Sequence, residues 1–376
     1  MQCKKPGVAS GAFSLRSSPV PLDDVPKDLQ LKSYGYRLIR FPEHGYPDTV
    51  CNMCYSAMVK QRAQKLAIQF SARIDHEEYD EIFDRRFRGE KILINKGMEY
   101  DFTHPAIAAW HEAEITRIEK EMFAQKKRLA DAERSLKEKT TKKAENEQRI
   151  ATNKIKKAKR DLEKHRSFGR ESDLASDIDS EADQRIFPLH YASVICLDDG
   201  GEKVVRPMRY LMRPHDKDES FDQKFNGCYN ARVDSLESVA WWRDSLEKRR
   251  GFIVISKFYE NVSTLKYQMK NKLPDSEAGK ENIVVCFEPD GGKELIIPVL
   301  WDVWSKDGSP KIYSFALITG DPRPEVAAAG HDRTPIAIVA SAADQWLTAK
   351  DSKAALEVLK KNEDVHFIHR VMGAVA

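Results

Sequence analysis

Four short segments in the second half of the chain end an apolar run with a polar or ionisable side chain. The segments are residues 207–214, 229–238, 251–262 and 314–336. Because side chains of a strand alternate between two faces, strands that end in this way can deliver polar groups to one shared face. The side chains that we expect there are those of Asn230, Arg232, Glu260, His331 and Arg333.

A cysteine precedes the first apolar segment. Cys54 lies in the sequence Met-Cys-Tyr-Ser that starts at Met53. A thiol, a carboxylate, an imidazole and an amide are the groups needed for nucleophilic chemistry assisted by proton transfer. Taken singly, each group has an ordinary structural interpretation, because a lone cysteine is more often a core thiol and a lone glutamate or histidine is more often ion-paired or packed. The residue types alone leave both interpretations open.

The other cysteines indicate reduced thiols and no metal site. Cys51 and Cys54 have CxxC spacing, but neither a second pair nor a pair of histidines follows at the spacing typical of zinc. We therefore predict no metal and no cofactor. Scattered cysteines without a regular framework are typical of a cytosolic protein, and we expect core positions for Cys196, Cys228 and Cys286.

The composition excludes two classes of protein. The chain has 376 residues, of which 32% are charged and 41% hydrophobic. No run approaches the roughly 18 apolar residues that a membrane span needs, and the apolar content is too high for a fully disordered chain. The length suits two domains, or one large domain with an insertion. We expect a cytoplasmic, nucleoid-associated protein without a membrane partner.

The longest regular element is helical. Residues 106–166 contain neither Gly nor Pro, and Thr103 and Pro105 provide a cap and a first turn. Apolar residues with a spacing of three and four predict a helical hairpin or coiled coil that turns near 140–146, and one continuous helix of about 90 Å is the alternative. This arm, residues 105–170, interrupts the domain and could bind a partner protein or a second copy of the chain.

The rest of the chain predicts an α+β fold. Residues 1–52 lack sustained periodicity and are interpreted as a disordered leader or an upstream extension, and 171–185 as an acidic linker. From 186 onward, short apolar runs between turn signals predict a mostly antiparallel, barrel-like sheet. The expected strands are 191–197, 204–212, 252–258, 283–287, 294–301, 313–319 and 336–340. The expected helices are 237–249, 324–329, 342–347 and 354–361, with a C-terminal helix or tail over 351–376.

Taken together and in order, the motifs resemble the SOS-response-associated peptidase family of abasic-site processing proteins. The resemblance is carried by MCYSAMV from Met53, NAR followed by LES, FYENV, VAAAGHDRTPI and a closing Trp-Leu pair. Each motif alone is weak, whereas the ordered set is specific and covers residues 53–350. The long charged insertion suggests one particular branch of the family.

The resemblance implies a role for each residue. It makes Cys54 the nucleophile, whose α-amine and thiol would close a thiazolidine on the aldehyde of an abasic site in single-stranded DNA. Glu260 would orient the amine and take its proton, and His331 would act as an acid on the sugar oxygen. Asn230 would hold the polar groups of the cysteine. The residues expected to contact phosphates are Arg209, Arg232 and Arg333.

Two departures from the family pattern matter. The tryptophan of the Met-Arg-Trp-Gly strand is replaced by Tyr210, which could still stack on a base. In addition, 52 residues precede Met53, so the amine of Cys54 is free only if translation starts at Met53 or the chain cleaves itself after Met53. We favour the first. A thiol peptidase that cleaves before Cys54 and a non-enzymatic DNA-binding scaffold remain alternative functions.

The net charge of +3 hides a strong local imbalance. Residues 105–170 hold 19 Lys and Arg against 11 Asp and Glu, whereas 171–185 hold one against six. The remaining residues hold 42 of each sign. Bulk attraction to DNA is therefore expected only from the arm, and the catalytic part must use individually placed arginines.

Overall fold

Runs of Val, Ile and Phe form a large mixed sheet. The computed structural model describes residues 56–168, 184–225 and 228–372, all within the unit Val50–Ala376. Its strands in chain order are β1 (Ser56–Val59), β2 (Arg73–Ile74), β3 (Arg185–Ile186), β4 (Tyr191–Leu197), β5 (Lys203–Tyr210), β6 (Asn230–Arg232), β7 (Arg250–Ser263), β8 (Asn282–Pro289), β9 (Leu295–Trp304), β10 (Ile312–Gly320), β11 (Thr334–Pro335) and β12 (Phe367–Met372).

The long strand β7 organises the sheet. Its first half pairs antiparallel with β4 and β9, and its second half pairs antiparallel with β1 and β8. Strand β10 pairs antiparallel with β9 and parallel with β5 and β6. Both ends of β7 are therefore fixed by partners on two sides, which makes it a rigid carrier for a functional side chain.

Helices cover the sheet and form the arm. They are α1 (Ala63–Phe70), α2 (His76–Phe87), α3 (Lys96–Glu99), α4 (Pro105–Glu138), α5 (Lys142–Arg166), α6 (Phe221–Lys224), α7 (Ala240–Lys248), α8 (Thr264–Gln268), α9 (Pro324–Ala328), α10 (Ala343–Leu347) and α11 (Ser352–Lys360). No helix within the described ranges is long and apolar enough to span a membrane. The prediction of an α+β fold is confirmed as a mixed sheet with several helices.

The arm consists of two antiparallel helices, as the simpler of the two sequence interpretations predicts. The break falls at residues 139–141, where the Thr141 side chain accepts a hydrogen bond from the Ala144 amide and begins α5. The cap of α4 is His104, whose Nδ1 accepts from the Ala106 amide, and not Thr103. The helices pack side by side, and a coiled-coil supercoil is not shown.

Buried polar groups attach the arm to the domain at its root, where α4 begins and α5 ends. Glu99 of α3 forms an ion pair with Arg86 and lies 3.2 Å from His111 Nε2. The Nδ1 atoms of His111 and His165 are 2.9 Å apart, which joins α4 to α5. The Arg86 guanidinium stacks on the Trp110 ring at 3.8 Å. These contacts fix the arm to the domain through its first and last turns.

Two sequence predictions near the C-terminus differ from the structure. The strand expected over 336–340 is absent: Ile338 forms isolated bridges to Ile296 and Asn362, and the ordered pairing is shifted to Thr334–Pro335. The region expected to be only a helix or tail also contains β12, which pairs antiparallel with β8. Both differences arise because a short apolar run pairs with whichever strand edge the tertiary fold presents.

Candidate functional site

A glutamate and a histidine meet in the interior of the domain. Glu260 lies in the second half of β7, and His331 follows α9 in the loop that leads to β11. His331 Nε2 is 3.2 Å from Glu260 Oε2, and the two side chains are 1% and 0% exposed. The contact has the distance of an ion pair without the alignment of a full hydrogen bond. Catalytic contacts often become aligned only when substrate binds.

The hydrogen bond of the second ring nitrogen of His331 indicates how many protons the pair holds. His331 Nδ1 donates to the Arg333 carbonyl at 3.1 Å, since a carbonyl oxygen only accepts. If the ring is neutral, Nε2 then carries a lone pair toward the carboxyl group, and one proton between the two side chains removes that repulsion. Burial lowers the pKa of His331, which favours the neutral ring. The pair is therefore suited to hold and pass a single proton.

A glycine sets the position of the histidine. Gly330 has a φ of +94°, in the left-handed region that other residues rarely adopt. A Cβ atom there would lie 2.8 Å from Lys266 Cβ and 3.1 Å from the Lys266 carbonyl carbon. The glycine lets the loop approach α8 directly, and α8 begins immediately after β7. The two elements that carry the pair are therefore packed against each other.

The predicted amide is held by a tyrosine. Asn230 is the first residue of β6 and pairs in parallel register with Leu317 of β10. The Tyr210 hydroxyl donates to Asn230 Oδ1 at 3.2 Å, and Tyr210 is fully buried. This hydrogen bond orients the amide. The stacking on a base expected of Tyr210 does not fit this position, because its ring offers no exposed face.

The predicted arginines fall into two groups. Arg232 ends β6 and is partly exposed, with ion pairs to Asp234 at 2.8 Å and Asp321 at 3.5 Å. The carboxylate of Asp332, next to His331, interacts electrostatically with both Arg232 and His331, so the end of β6 lies near the histidine loop. Arg333 follows in that loop with 16% of its side chain exposed.

Arg209 is not presented in the same way. It is buried and its guanidinium binds Asp222 at 2.8 Å, a carboxylate that also pairs with Arg213. A buried, neutralised guanidinium is a poor ligand for a DNA phosphate without rearrangement. Sequence analysis could not foresee this, because Asp222 lies outside the motif that contains Arg209.

Cys54 lies outside the described residues, as do Cys51 and Cys3. The described chain starts two residues later at Ser56, which lies opposite Tyr259, the neighbour of Glu260.

Arg185, a basic residue at the end of the segment predicted to be a linker, lies beside Ser56. Arg185 begins β3, which pairs antiparallel with β1. Its Nε donates to Ser56 Oγ at 3.0 Å, and its guanidinium stacks on the Tyr259 ring at 3.5 Å. The only signal in the sequence is its position as the first basic residue after an acidic tract.

The described cysteines are core residues, as expected. Cys196, Cys228 and Cys286 are buried, and burial raises the pKa of Cys196 and of Cys228 to about 12. Such thiols are almost entirely protonated at neutral pH and are weak nucleophiles. Within the described ranges, no group of three or more His, Cys, Asp or Glu side chains could hold a metal ion.

Comparison with known proteins identifies a family. A family model described as SOS response associated peptidase (SRAP) matches residues 142–376, a range that includes Asn230, Glu260 and His331. No curated protein matched.

Several solved structures are similar to this chain. A protein from Bacteroides thetaiotaomicron is 15% identical, with a TM-score of 0.40 over 50% of this chain and 77% of that one. A protein from Bordetella bronchiseptica is 18% identical, with a TM-score of 0.39 over 54% and 92%. A phage-related protein from Bordetella bronchiseptica is 16% identical, with a TM-score of 0.38 over 53% and 85%.

Proposed function

The chain belongs to the SOS response associated peptidase (SRAP) family, and on that premise we propose that it crosslinks covalently to abasic sites in single-stranded DNA through Cys54. The observation that carries the proposal is the buried pair of Glu260 and His331, 3.2 Å apart, at the end of β7 that pairs with the strand following Cys54. Membership in the family supports a role in the response to DNA damage, and the pair would supply the proton transfer.

The reaction balances without a cofactor. The α-amine of Cys54 attacks the aldehyde carbon of the ring-opened abasic sugar, and loss of water gives an imine. The thiol then adds to the imine carbon, its proton passes to the nitrogen, and a five-membered thiazolidine results. Glu260 accepts the proton that the ammonium group must lose. With the proton of the pair on Nε2, His331 donates it to the sugar oxygen that leaves as water and recovers one from the nitrogen as the imine forms, so the pair ends with one additional proton, which it releases to solvent. One water leaves, and no oxidant or metal takes part.

The surrounding residues support the same chemistry. Asn230, oriented by the Tyr210 hydroxyl, can hold the polar groups of Cys54. Arg232, with 32% of its side chain exposed, is open enough to meet a phosphate, and Arg333 lies in the same loop as His331. Arg185 adds a positive charge beside Ser56. The high pKa values of Cys196 and Cys228 leave Cys54 as the better nucleophile.

A gel assay tests the proposal. The 376-residue chain and a chain that starts at Met53 are each mixed with a single-stranded oligonucleotide that carries one abasic site. We expect a heat-stable adduct on a denaturing gel, and mass spectrometry of the reactive protein should find Cys54 at its N-terminus. Cys54→Ala should abolish the adduct and Cys228→Ala should keep it. An adduct that survives Cys54→Ala would overturn the proposal.

A second candidate is a thiol peptidase that cleaves its own chain before Cys54. It is favoured by the family description and by the 52 residues that precede Met53. Here the thiol would attack the carbonyl of Met53, and water would release the leader. Intact mass of the protein expressed from Met1 separates the two candidates: an uncleaved chain excludes self-processing, and a cleaved wild type with an uncleaved Cys54→Ala variant supports it.

A further inference from the structure

The two helices of the arm differ strongly in charge. The helix α4 carries seven Lys and Arg and seven Asp and Glu, and so is neutral, whereas α5 carries ten against four. Two helices of one hairpin share the same solvent and the same need for solubility. The excess positive charge of the two helices therefore lies on α5 alone. A general preference for a charged, solvated surface would not place it on one helix.

The charge of α5 is concentrated on its outer face. The buried residues Ala151, Ile155, Ala158 and Leu162 define the side that packs on α4. At 100° per residue, the opposite face is centred between Asn153 and Arg160. Besides Lys142 in the first turn, the basic residues on that face, all of them exposed, are Arg149, Lys156, Lys157, Arg160 and Lys164. We call these five residues the α5 stripe.

The α5 stripe has the dimensions of a nucleic-acid contact. From Arg149 to Lys164 it extends for about 22 Å along the helix, at about 1.5 Å per residue. A DNA strand carries one phosphate per about 3.4 Å when stacked, so the stripe matches about six nucleotides. The neutral Asn153 lies within the stripe and Asn146 continues the same face toward the turn, and both can donate hydrogen bonds to phosphate oxygens.

Hydrogen bonds link the C-terminal end of α5, where the stripe ends, to the sheet. Ser167, the residue after α5, accepts a hydrogen bond from Lys96 Nζ at 3.0 Å. The neighbouring Asn95 side chain donates to the Arg185 carbonyl, and Arg185 in turn binds Ser56. Through these contacts the C-terminal end of α5 is connected to β3 and to β1, the strand that follows Cys54. The contact between His111 and His165, together with Glu99, holds this end in place.

From these observations we infer that the α5 stripe binds the DNA backbone beyond the nucleotide that occupies the site. The inference rests on the proposed function for the identity of the strand, but the contact itself is electrostatic and needs no covalent step. It assigns the insertion the task of guiding and holding a flanking length of DNA, which the neutral catalytic part cannot attract by bulk charge.

The test compares two variants with equal change in charge. The stripe variant carries Arg149→Gln, Lys156→Gln, Lys157→Gln, Arg160→Gln and Lys164→Gln. The control variant carries five substitutions to Gln on exposed residues of α4, namely Lys120, Lys126, Lys127, Arg134 and Lys137. Reversible binding of the full chain to undamaged single-stranded oligonucleotides of about 4 and about 30 nucleotides, the first too short to fill the stripe, is measured by fluorescence anisotropy over a salt series, and circular dichroism checks that both variants keep their helices.

For the long oligonucleotide we expect the stripe variant to bind at least about tenfold more weakly at low salt. The slope of log K against log salt concentration should become shallower by about 0.7 for every phosphate that the variant no longer neutralises. The control variant should be affected much less, and the short oligonucleotide should show little difference. Equal weakening in both variants, or wild-type affinity in the stripe variant, overturns the inference. Because undamaged DNA forms no adduct, this outcome is independent of the gel assay: absence of an adduct contradicts the proposed function alone.

Discussion

His331 Nε2 lies 3.2 Å from Glu260 Oε2, with both side chains enclosed by protein. The histidine reaches this position because Gly330 allows the loop to pack on α8, and the glutamate because β7 is paired on both sides. The other ring nitrogen of His331 is committed to the Arg333 carbonyl. The two residues are therefore placed to share a proton, and we expect their substitutions not to be independent.

We expect Glu260→Gln and His331→Gln each to slow adduct formation by about 10²–10⁴-fold, the usual range for loss of a general acid or base. The double variant should be no more than slightly slower than either single variant, because each substitution already disrupts the shared proton. Single-turnover rates with an abasic oligonucleotide measure this. Glu277→Gln, at a buried glutamate paired with Lys280, is the matched control. Fully multiplicative effects would show that the residues act separately.

Tyr210→Phe removes one hydroxyl and keeps the ring. Without the hydrogen bond to Oδ1, the Asn230 amide can rotate, and we expect a slower chemical step with an unchanged concentration dependence for DNA. The cost in stability should be about 1 kcal/mol, typical of a lost hydrogen bond. Tyr79→Phe is the control, since the Tyr79 hydroxyl is also buried and contacts Ser193 Oγ at 2.7 Å. If both variants keep the wild-type rate, Tyr210 does not position Asn230.

The sequence predicts the site where function depends on local pattern. Glu260 follows an apolar run in its strand, Asn230 begins a strand, and His331 follows a glycine with a backbone conformation that other residues rarely adopt. These features are visible in a single chain segment. The strand Tyr191–Leu197 is likewise predicted with its observed bounds, because turn signals flank it on both sides.

The sequence does not predict features that depend on contacts between segments far apart in the chain. Arg209 is expected from its motif to bind phosphate, but its charge is neutralised by Asp222, which belongs to another element. Arg185 looks like part of the linker because its importance depends on the pairing of β3 with β1, 129 residues away along the chain. Burial and partners of long polar side chains follow from tertiary structure, and a motif does not contain that information.

Gly330→Ala should move His331. The added Cβ meets Lys266 at 2.8 Å, and the left-handed backbone adds strain. We expect a loss of about 1–3 kcal/mol in unfolding free energy and a slower adduct. Gly291→Ala has a similar φ of +82° and no atom near its Cβ position, so it reports the backbone strain alone. A Gly330→Ala variant that matches Gly291→Ala in stability and wild type in rate would contradict the packing argument.

Arg185→Gln should change the pH dependence of the reaction. A positive charge next to Ser56 disfavours a second positive charge on the nearby Cys54 amine and so favours the reactive, neutral amine. Without it, the acid side of the rate profile should move to higher pH, whereas Arg185→Lys should keep most of the effect. Single-turnover rates between about pH 5.5 and 9 measure the shift, with Arg243→Gln as an exposed control. If the pH profile of the rate is unchanged in Arg185→Gln, Arg185 has only a structural role.

The root of the arm should make stability depend on pH. Burial and the neighbouring His111 lower the pKa of His165 to about 4, and burial lowers the pKa of His190 to about 4. In the unfolded chain both titrate near about 6.5, so between these values the unfolded state binds more protons and stability falls as pH falls. The groups facing His165 are His111, Glu99, Glu114 and Lys164.

Each of the two histidines can contribute at most about 3 kcal/mol, since one pKa unit corresponds to about 1.4 kcal/mol. The unfolding free energy of His165→Gln should therefore decline less steeply than that of the wild type between about pH 6.5 and 4. The decline that His190 causes should remain. Urea unfolding at a series of pH values, followed by circular dichroism, measures the slope. The control is His366→Gln, at a side chain that is 83% exposed. If His165→Gln and His366→Gln decline as steeply as the wild type, His165 is not held in its neutral form by the arm.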